Sequence, residues 1–167
     1  MQIRAETPGD REAIAAVTEA AFGKPREARM VEAIRASDGF VPELSLVADD
    51  GGEIVGHVML SYVVLDGASA RLLELGPMSV RPERQRRGVG SALVRAALET
   101  ADARREPLVL VLGHPAYYPR FGFRRASLLG IVPSDPQIPD EAFMAIPLTA
   151  YDPSLRGRVV FPAAYAV

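Results

Sequence analysis

Apolar residues recur at two spacings along this chain, and the change from one to the other divides it. Ile14, Val17, Ala21 and Phe22 fall on one face of a helix, and Met30, Val31 and Ile34 on one face of a second, running from Arg26 to Ala36. Thr7-Pro8-Gly9-Asp10 supplies the start of the first, with Thr7 as N-cap, Pro8 at the first helical position and Asp10 in the first turn. The pattern then shortens to that of strands. Leu44 to Ala48 and Glu53 to Leu65 flank the turn Asp49-Asp50-Gly51-Gly52, and Asp66-Gly67 precedes a third run, Arg71 to Val80, which predicts an antiparallel meander. Helical spacing returns between Gly88 and Arg104, where Leu93, Val94, Ala97, Leu98 and Ala101 form a stripe. Leu108 to Leu112 is continuously apolar and reads as a strand buried on both faces. Strand, crossover helix and buried strand make a βαβ unit inside an otherwise antiparallel sheet. After Arg124 the pattern weakens: Pro133, Pro136 and Pro139 interrupt it, and Ala142 to Leu148 and Val159 to Phe161 are the strands expected there.

Composition adds bounds to this picture. At 167 residues, 49% hydrophobic and 24% charged, the chain suits one domain with a sizeable core, expected to span 1–167 with 124–167 as a C-terminal extension of it. A net charge of −2 argues against nucleic acid as a partner, since domains that bind it are usually basic overall. The first residues lack the apolar stretch of a signal peptide and no apolar run is long enough to cross a bilayer, so a cytoplasmic location without a membrane partner is expected. The absence of cysteine excludes disulfides, thiolate metal sites and a Cys nucleophile, and with only His57 and His114 as imidazoles no bound metal is expected. A homodimer is left open.

Candidate chemistry concentrates at Gln85-Arg86-Arg87-Gly88-Val89-Gly90, between a strand and a helix. Glycines at 88 and 90 remove Cβ atoms that would hold a ligand off the backbone, so successive N–H groups can point at one anion. The helix that opens there adds the positive end of its dipole. Arg81, Arg84, Arg86 and Arg87 crowd this helix start, where cations are normally disfavoured, and an anionic ligand would resolve the conflict. The alternative is a solvated basic loop. Two other phosphate motifs fit less well: a dinucleotide fingerprint needs a third small residue where Leu93 stands, and a P-loop needs Lys followed by Ser or Thr after its last glycine.

Together with a second segment this loop resembles the GNAT superfamily of acyl-CoA-dependent N-acetyltransferases. Gln85 to Gly90 matches its Q/R-x-x-G-x-G/A pyrophosphate loop, and Tyr117-Tyr118-Pro119-Arg120-Phe121-Gly122-Phe123 matches its aromatic-Tyr-x-x-x-Gly-Phe segment. The resemblance covers roughly Met1 to Arg124, and the stretch from Leu112 to Phe123 is similar to a YhbS-like branch of predicted N-acetyltransferases. It implies an α/β (α+β) fold: a mixed, mostly antiparallel central sheet, a splayed βαβ cleft for acetyl-CoA and flanking helices. It also implies donor contacts along Met78, Ser79 and Val80, across Gln85, Arg86, Arg87, Gly88, Val89, Gly90 and Ser91, and at Gly113 and Tyr118. The sequence supplies a local cause for the splay, because Pro77 after Gly76 cannot donate to a strand ladder and predicts a bulge.

The reaction the resemblance implies is acetyl transfer to a primary amine, and two residues are candidates for its proton transfers. Tyr118 matches the tyrosine that protonates the departing CoA sulfur; a phenol of pKa about 10 stays protonated at neutral pH, while a thiolate of pKa about 8.5 needs a donor. Its alternative role is packing, the role expected of Tyr117. An alkylammonium of pKa about 10.4 must lose a proton before attack, and Glu74 is the leading base, with His114 or a water relay as alternatives and His57 a weaker one. With no thiol to carry an acetyl group, direct attack in a ternary complex is expected over a covalent acyl-enzyme. Two other classes stay open: a non-catalytic acyl-CoA-binding regulatory module, which would need neither Tyr118 nor a base, and a nucleotide-binding protein.

Overall fold

The computed structural model describes residues 1–167 and builds them around one nine-stranded mixed sheet. In chain order the elements are β1 (Gln2–Ala5), α1 (Arg11–Phe22), α2 (Arg26–Arg35), β2 (Phe40–Asp50), β3 (Glu53–Asp66), β4 (Ala70–Val80), α3 (Val89–Ala103) and β5 (Leu108–Leu112), followed by β6 (Arg124–Arg125), β7 (Ile131–Pro133), β8 (Phe143–Pro147) and β9 (Gly157–Val160). The sheet runs β1-β2-β3-β4-β5-β8-β6, and β9 lies on the far half of β3 with β7 beside it. The β4–β5 and β7–β9 pairs are parallel and the others antiparallel, so the meander β2-β3-β4 and the βαβ unit β4-α3-β5 both form as their hydrophobic patterns predict.

Helices cover both faces of the sheet. Leu93, Val94, Ala97 and Ala101 of α3 pack on Leu46, Val58, Leu60, Leu73, Leu75 and Val109. On the other face Ile14 and Val17 of α1 and Val31 and Ile34 of α2 pack on Val47, Ile54 and Met59. A third cluster, with Phe143, Leu65, Leu110 and Val159, joins the strands after residue 124 to the sheet. Pro8–Asp10 forms a 3-10 turn that leads into α1, and the Thr7 N–H donates to Asp10 Oδ2 at 2.7 Å.

The structure differs from the sequence expectations at identifiable points. Phe22 is 40% exposed, because the apolar face of α1 ends against the mouth of a cleft. Leu112 is 43% exposed for the same reason, so β5 is buried on both faces only through Val111. Strand β1 carries too short a pattern to announce itself, and β2 begins earlier than Leu44, at Phe40. It tolerates Pro42 because residues 41–44 have no ladder partner on either edge. Likewise β9 starts at Gly157, and Pro133 closes β7 at its end. No helix is long and apolar enough to cross a membrane.

Candidate active site

The sheet opens between β4 and β5. β4 and β5 pair at Leu73↔Val109, Glu74↔Leu110 and Leu75↔Val111 and then separate. The register between β3 and β4 explains why: Val58 faces Met78 but Leu60 faces Leu75, so β4 carries one extra residue at Gly76-Pro77, the predicted bulge. Beyond it β4 stays with β3, while the Gly113 N–H at the end of β5 turns away to the Ala142 carbonyl at 2.9 Å. The free edge of β4 from Met78 to Val80 therefore faces a cleft of about 1310 Å³.

One end of this cleft is the glycine loop. Gly88 has φ +84, in the left-handed region, and a Cβ built on it would meet nothing within 4 Å, so the space above it is open. Helix α3 starts there with no side-chain cap and no acidic residue in its first turn, leaving its first N–H groups without a partner from the protein's side chains. Gln85 Nε2 donates to the Val80 carbonyl at 3.1 Å and ties the loop to the strand end. The four arginines divide into two pairs. Arg84 is bound to Asp50 at 2.6 Å, and Arg81 donates to the Ile54 carbonyl and lies 3.5 Å from Glu53, so these charges are already compensated. Arg86 and Arg87 remain exposed, and with the helix end they are the positive potential available to an anion.

Most residues predicted for the donor come together here. Met78, Ser79, Val80, Gln85, Arg86, Gly88, Gly90 and Ser91 line one wall and Gly113 the other. Arg87 points to solvent, and Val89 is presented only through its backbone N–H at the start of α3, its side chain packing into the core under Gly56. Tyr117, expected as core, instead lines the cleft with its ring half-buried. Its hydroxyl lies 3.0 Å from where a Cβ on Gly90 would stand, and the Arg120 guanidinium covers its ring at 4.4 Å. Gly90 is thus small on account of a protein neighbour.

Glu74 and Tyr118 face the same cleft. Glu74 is 4% exposed and its Oε2 has no hydrogen-bond partner. Burial pushes its carboxyl from an ordinary 4.5 up to about 8, with the Leu112 backbone and the Tyr165 hydroxyl holding it back. Tyr118 is 8% exposed, its ring edge-on to Tyr117 at 5.0 Å and Phe123 at 5.6 Å. A Cβ on Gly113 would collide with this ring, so the glycine lets the tyrosine lie across the end of β5. Burial raises the phenol's pKa, and the charge of Glu74 raises it further. The two groups are electrostatically coupled: when Glu74 takes up a proton, Tyr118 becomes the stronger acid.

His114 is an exposed residue on the cleft rim. His57 is remote in role: fully buried, it meets Ser45 Oγ at 2.9 Å and Glu6 in a network with Arg35, and burial lowers its pKa. Sequence reasoning missed Ser61 and Tyr165, which approach Glu74 from β3 and from the last residues of the chain; nothing local to either signals that approach. No group of three or more His, Asp or Glu residues is placed to hold a metal ion.

A splayed parallel pair, a helix start with open N–H groups and buried titratable side chains between them belong to the acetyltransferase class of fold and cleft. The chain belongs to the acetyltransferase (GNAT) domain family, whose pattern matches residues 2–126. It is 35% identical over 144 residues to the uncharacterized N-acetyltransferase YjhQ of Escherichia coli K12, covering 83% of this chain and 80% of that protein. In structure it is similar to the Escherichia coli GNAT family N-acetyltransferase YhbS in complex with CoA, with a TM-score of 0.89, 28% identity, and 99% and 92% of the two chains covered. A Brucella melitensis GNAT family acetyltransferase in complex with acetyl-CoA matches with a TM-score of 0.81 and 33% identity over 98% of this chain and 97% of that one.

Proposed function

We propose that this protein binds acetyl-CoA along the free edge of β4 and the Gln85–Gly90 loop and transfers its acetyl group to a primary amine. The observation that carries the reading is one cleft holding both an uncapped, open N–H cradle and a buried carboxylate with its pKa raised to about 8. The CoA and acetyl-CoA complexes of the two similar structures support the donor.

The residues divide the work. The first N–H groups of α3, with Arg86, hold the diphosphate, and the edge of Met78 to Val80 that faces away from β3 pairs with the pantetheine amides. Glu74 takes a proton from the ammonium, and the freed nitrogen attacks the thioester carbonyl. As the C–N bond forms and the C–S bond breaks, Tyr118 gives its proton to the departing sulfur, a transfer made easier because Glu74 is by then neutral, and the second proton shed by the nitrogen returns to the Tyr118 oxygen, so that the amide and the CoA thiol leave with Glu74 holding the other proton. Phe22, Met30, Ile138 and Phe161 line the part of the cleft away from the cradle and favour an acceptor with an apolar body.

The test is a thermal-shift screen with acetyl-CoA, longer acyl-CoAs, ATP and NAD, followed by thiol release over an amine library. Stabilisation by acetyl-CoA and release with apolar amines are expected. Stabilisation by ATP or NAD alone, or acetyl-CoA binding with no release for any amine, would overturn the reading.

A further inference from the structure

The end of the chain is folded into the acceptor side of the cleft. β9 pairs with the far end of β3 through Val64↔Val160, Leu65↔Val159 and Asp66↔Arg158, which carries the last residues back across the sheet. The Phe161 ring then packs on Phe143 at 6.3 Å and on Tyr165 at 5.4 Å, and Tyr165 is set in a turn closed by its N–H to the Pro162 carbonyl at 3.0 Å. The Tyr165 hydroxyl shares a hydrogen bond with Ser61 Oγ. Ser61 is the cross-strand partner of Glu74, so the two side chains stand on the same face of the sheet with Cβ atoms about 5 Å apart. Ser61, Glu74 and Tyr165 thus meet at one point, from β3, β4 and the chain end, and Phe161, Pro162 and Tyr165 wall the cleft around it.

We propose that Tyr165, held by Ser61, is a positioning residue for Glu74, and that the C-terminal segment is a working part of the acceptor site. This rests on Glu74 being the base. A buried carboxylate with an unpartnered Oε2 needs a donor nearby to reach its charged form, and the phenol, hydrogen-bonded to the cross-strand neighbour Ser61, is the side-chain donor placed to lower the cost of that charge. Burial and the Glu74 charge both raise the pKa of Tyr165, so it keeps its proton and remains a donor through the working range. The phenol loses no proton in the cycle; it steadies the charged carboxylate and releases that hold when Glu74 is protonated.

The experiment compares kcat/KM against pH for wild type, Tyr165→Phe, Ser61→Ala and Glu74→Gln, with acetyl-CoA affinity measured alongside. Tyr165→Phe keeps the ring and is expected to move the acidic limb upward by about one unit, with an about ten-fold lower rate at pH 7 and unchanged acetyl-CoA affinity. Ser61→Ala is expected to move the limb in the same direction by less, and it carries the test by itself if the aromatic change disturbs folding. A limb that stays in place in folded Tyr165→Phe, or in Ser61→Ala where the former does not fold, overturns the positioning role and leaves the segment a wall. A limb that stays in place in Glu74→Gln overturns the assignment of the base, and with it this inference; a limb displaced toward about 10.4 in Glu74→Gln but unmoved in Tyr165→Phe overturns this inference alone.

Discussion

Replacing Glu74 with Gln preserves shape and removes one titration, and the structure fixes what should follow. A carboxyl raised from 4.5 to about 8 by burial binds a proton more tightly in the folded protein than in the unfolded chain. Below about pH 4.5 both states are protonated and nothing is lost; above about pH 8 both are ionised and the folded state carries the whole cost of a buried charge. Stability therefore falls as pH rises between those values, by at most about 5 kcal/mol at about 1.4 kcal/mol per unit. Glu74→Gln should lack this fall, so urea unfolding should show the variant gaining on wild type by several kcal/mol between pH 5 and pH 9. Kinetics follow from the same shift. Wild-type kcat/KM should rise with pH to about 8 and then level, because Glu74 is ionised while the amine is still an ammonium. In Glu74→Gln the rise should continue toward about 10.4, the amine's own pKa, with rates below pH 8 lower by about 10²–10⁴-fold. Parallel stability curves would show that Glu74 does not titrate near 8, and a variant with a wild-type rate profile would remove it as the base.

Other sites give independent checks. Gly88→Ala forces a Cβ into a left-handed residue and into the open cradle, and should weaken acetyl-CoA binding about ten-fold or more by calorimetry; unchanged affinity in a folded variant would remove the cradle. Tyr118→Phe should keep acetyl-CoA affinity while slowing thiol release about 10²-fold or more where chemistry is rate-limiting, and an undiminished rate would leave the ring a packing residue. Gly113→Ala should displace the Tyr118 ring and depress kcat at a stability cost of about 1–3 kcal/mol, whereas wild-type turnover would mean that the ring's placement is immaterial. Glu6→Gln tests the opposite sign. Burial alone would raise that carboxyl, but the nearby His57 and hydrogen bonds from Arg35 and Ser45 hold it at about 2, so it stabilises the fold above pH 4.5 and the gain is lost as pH falls toward 2. The variant should lose up to about 3 kcal/mol at neutral pH, less what solvent screens, and little near pH 2; an equal loss at both would assign the effect to packing.

What the amino-acid order determined by itself is whatever depends on neighbours in the chain. The period of Leu93, Val94, Ala97 and Ala101 specified α3, the apolar run before Leu112 specified a buried strand, and Gly88 and Gly90 placed an N–H cradle at the helix start, all from short-range sterics and burial. The bulge at Gly76-Pro77 was legible for the same reason, since a proline lacks the N–H a ladder needs. Tertiary structure decided the rest, because charge, burial and hydrogen bonding depend on residues far apart in sequence. Four arginines looked alike until Asp50 and Glu53 were brought beside Arg81 and Arg84, leaving Arg86 and Arg87 free. Tyr117 and Tyr118 are adjacent, yet the turn after β5 sends one to the cleft wall and buries the other against Gly113. The sequence singles out Glu74 as the leading base but not its state: its raised pKa exists only because the sheet and the last residues of the chain close over it, and Tyr165 reaches it across a span that no local pattern encodes.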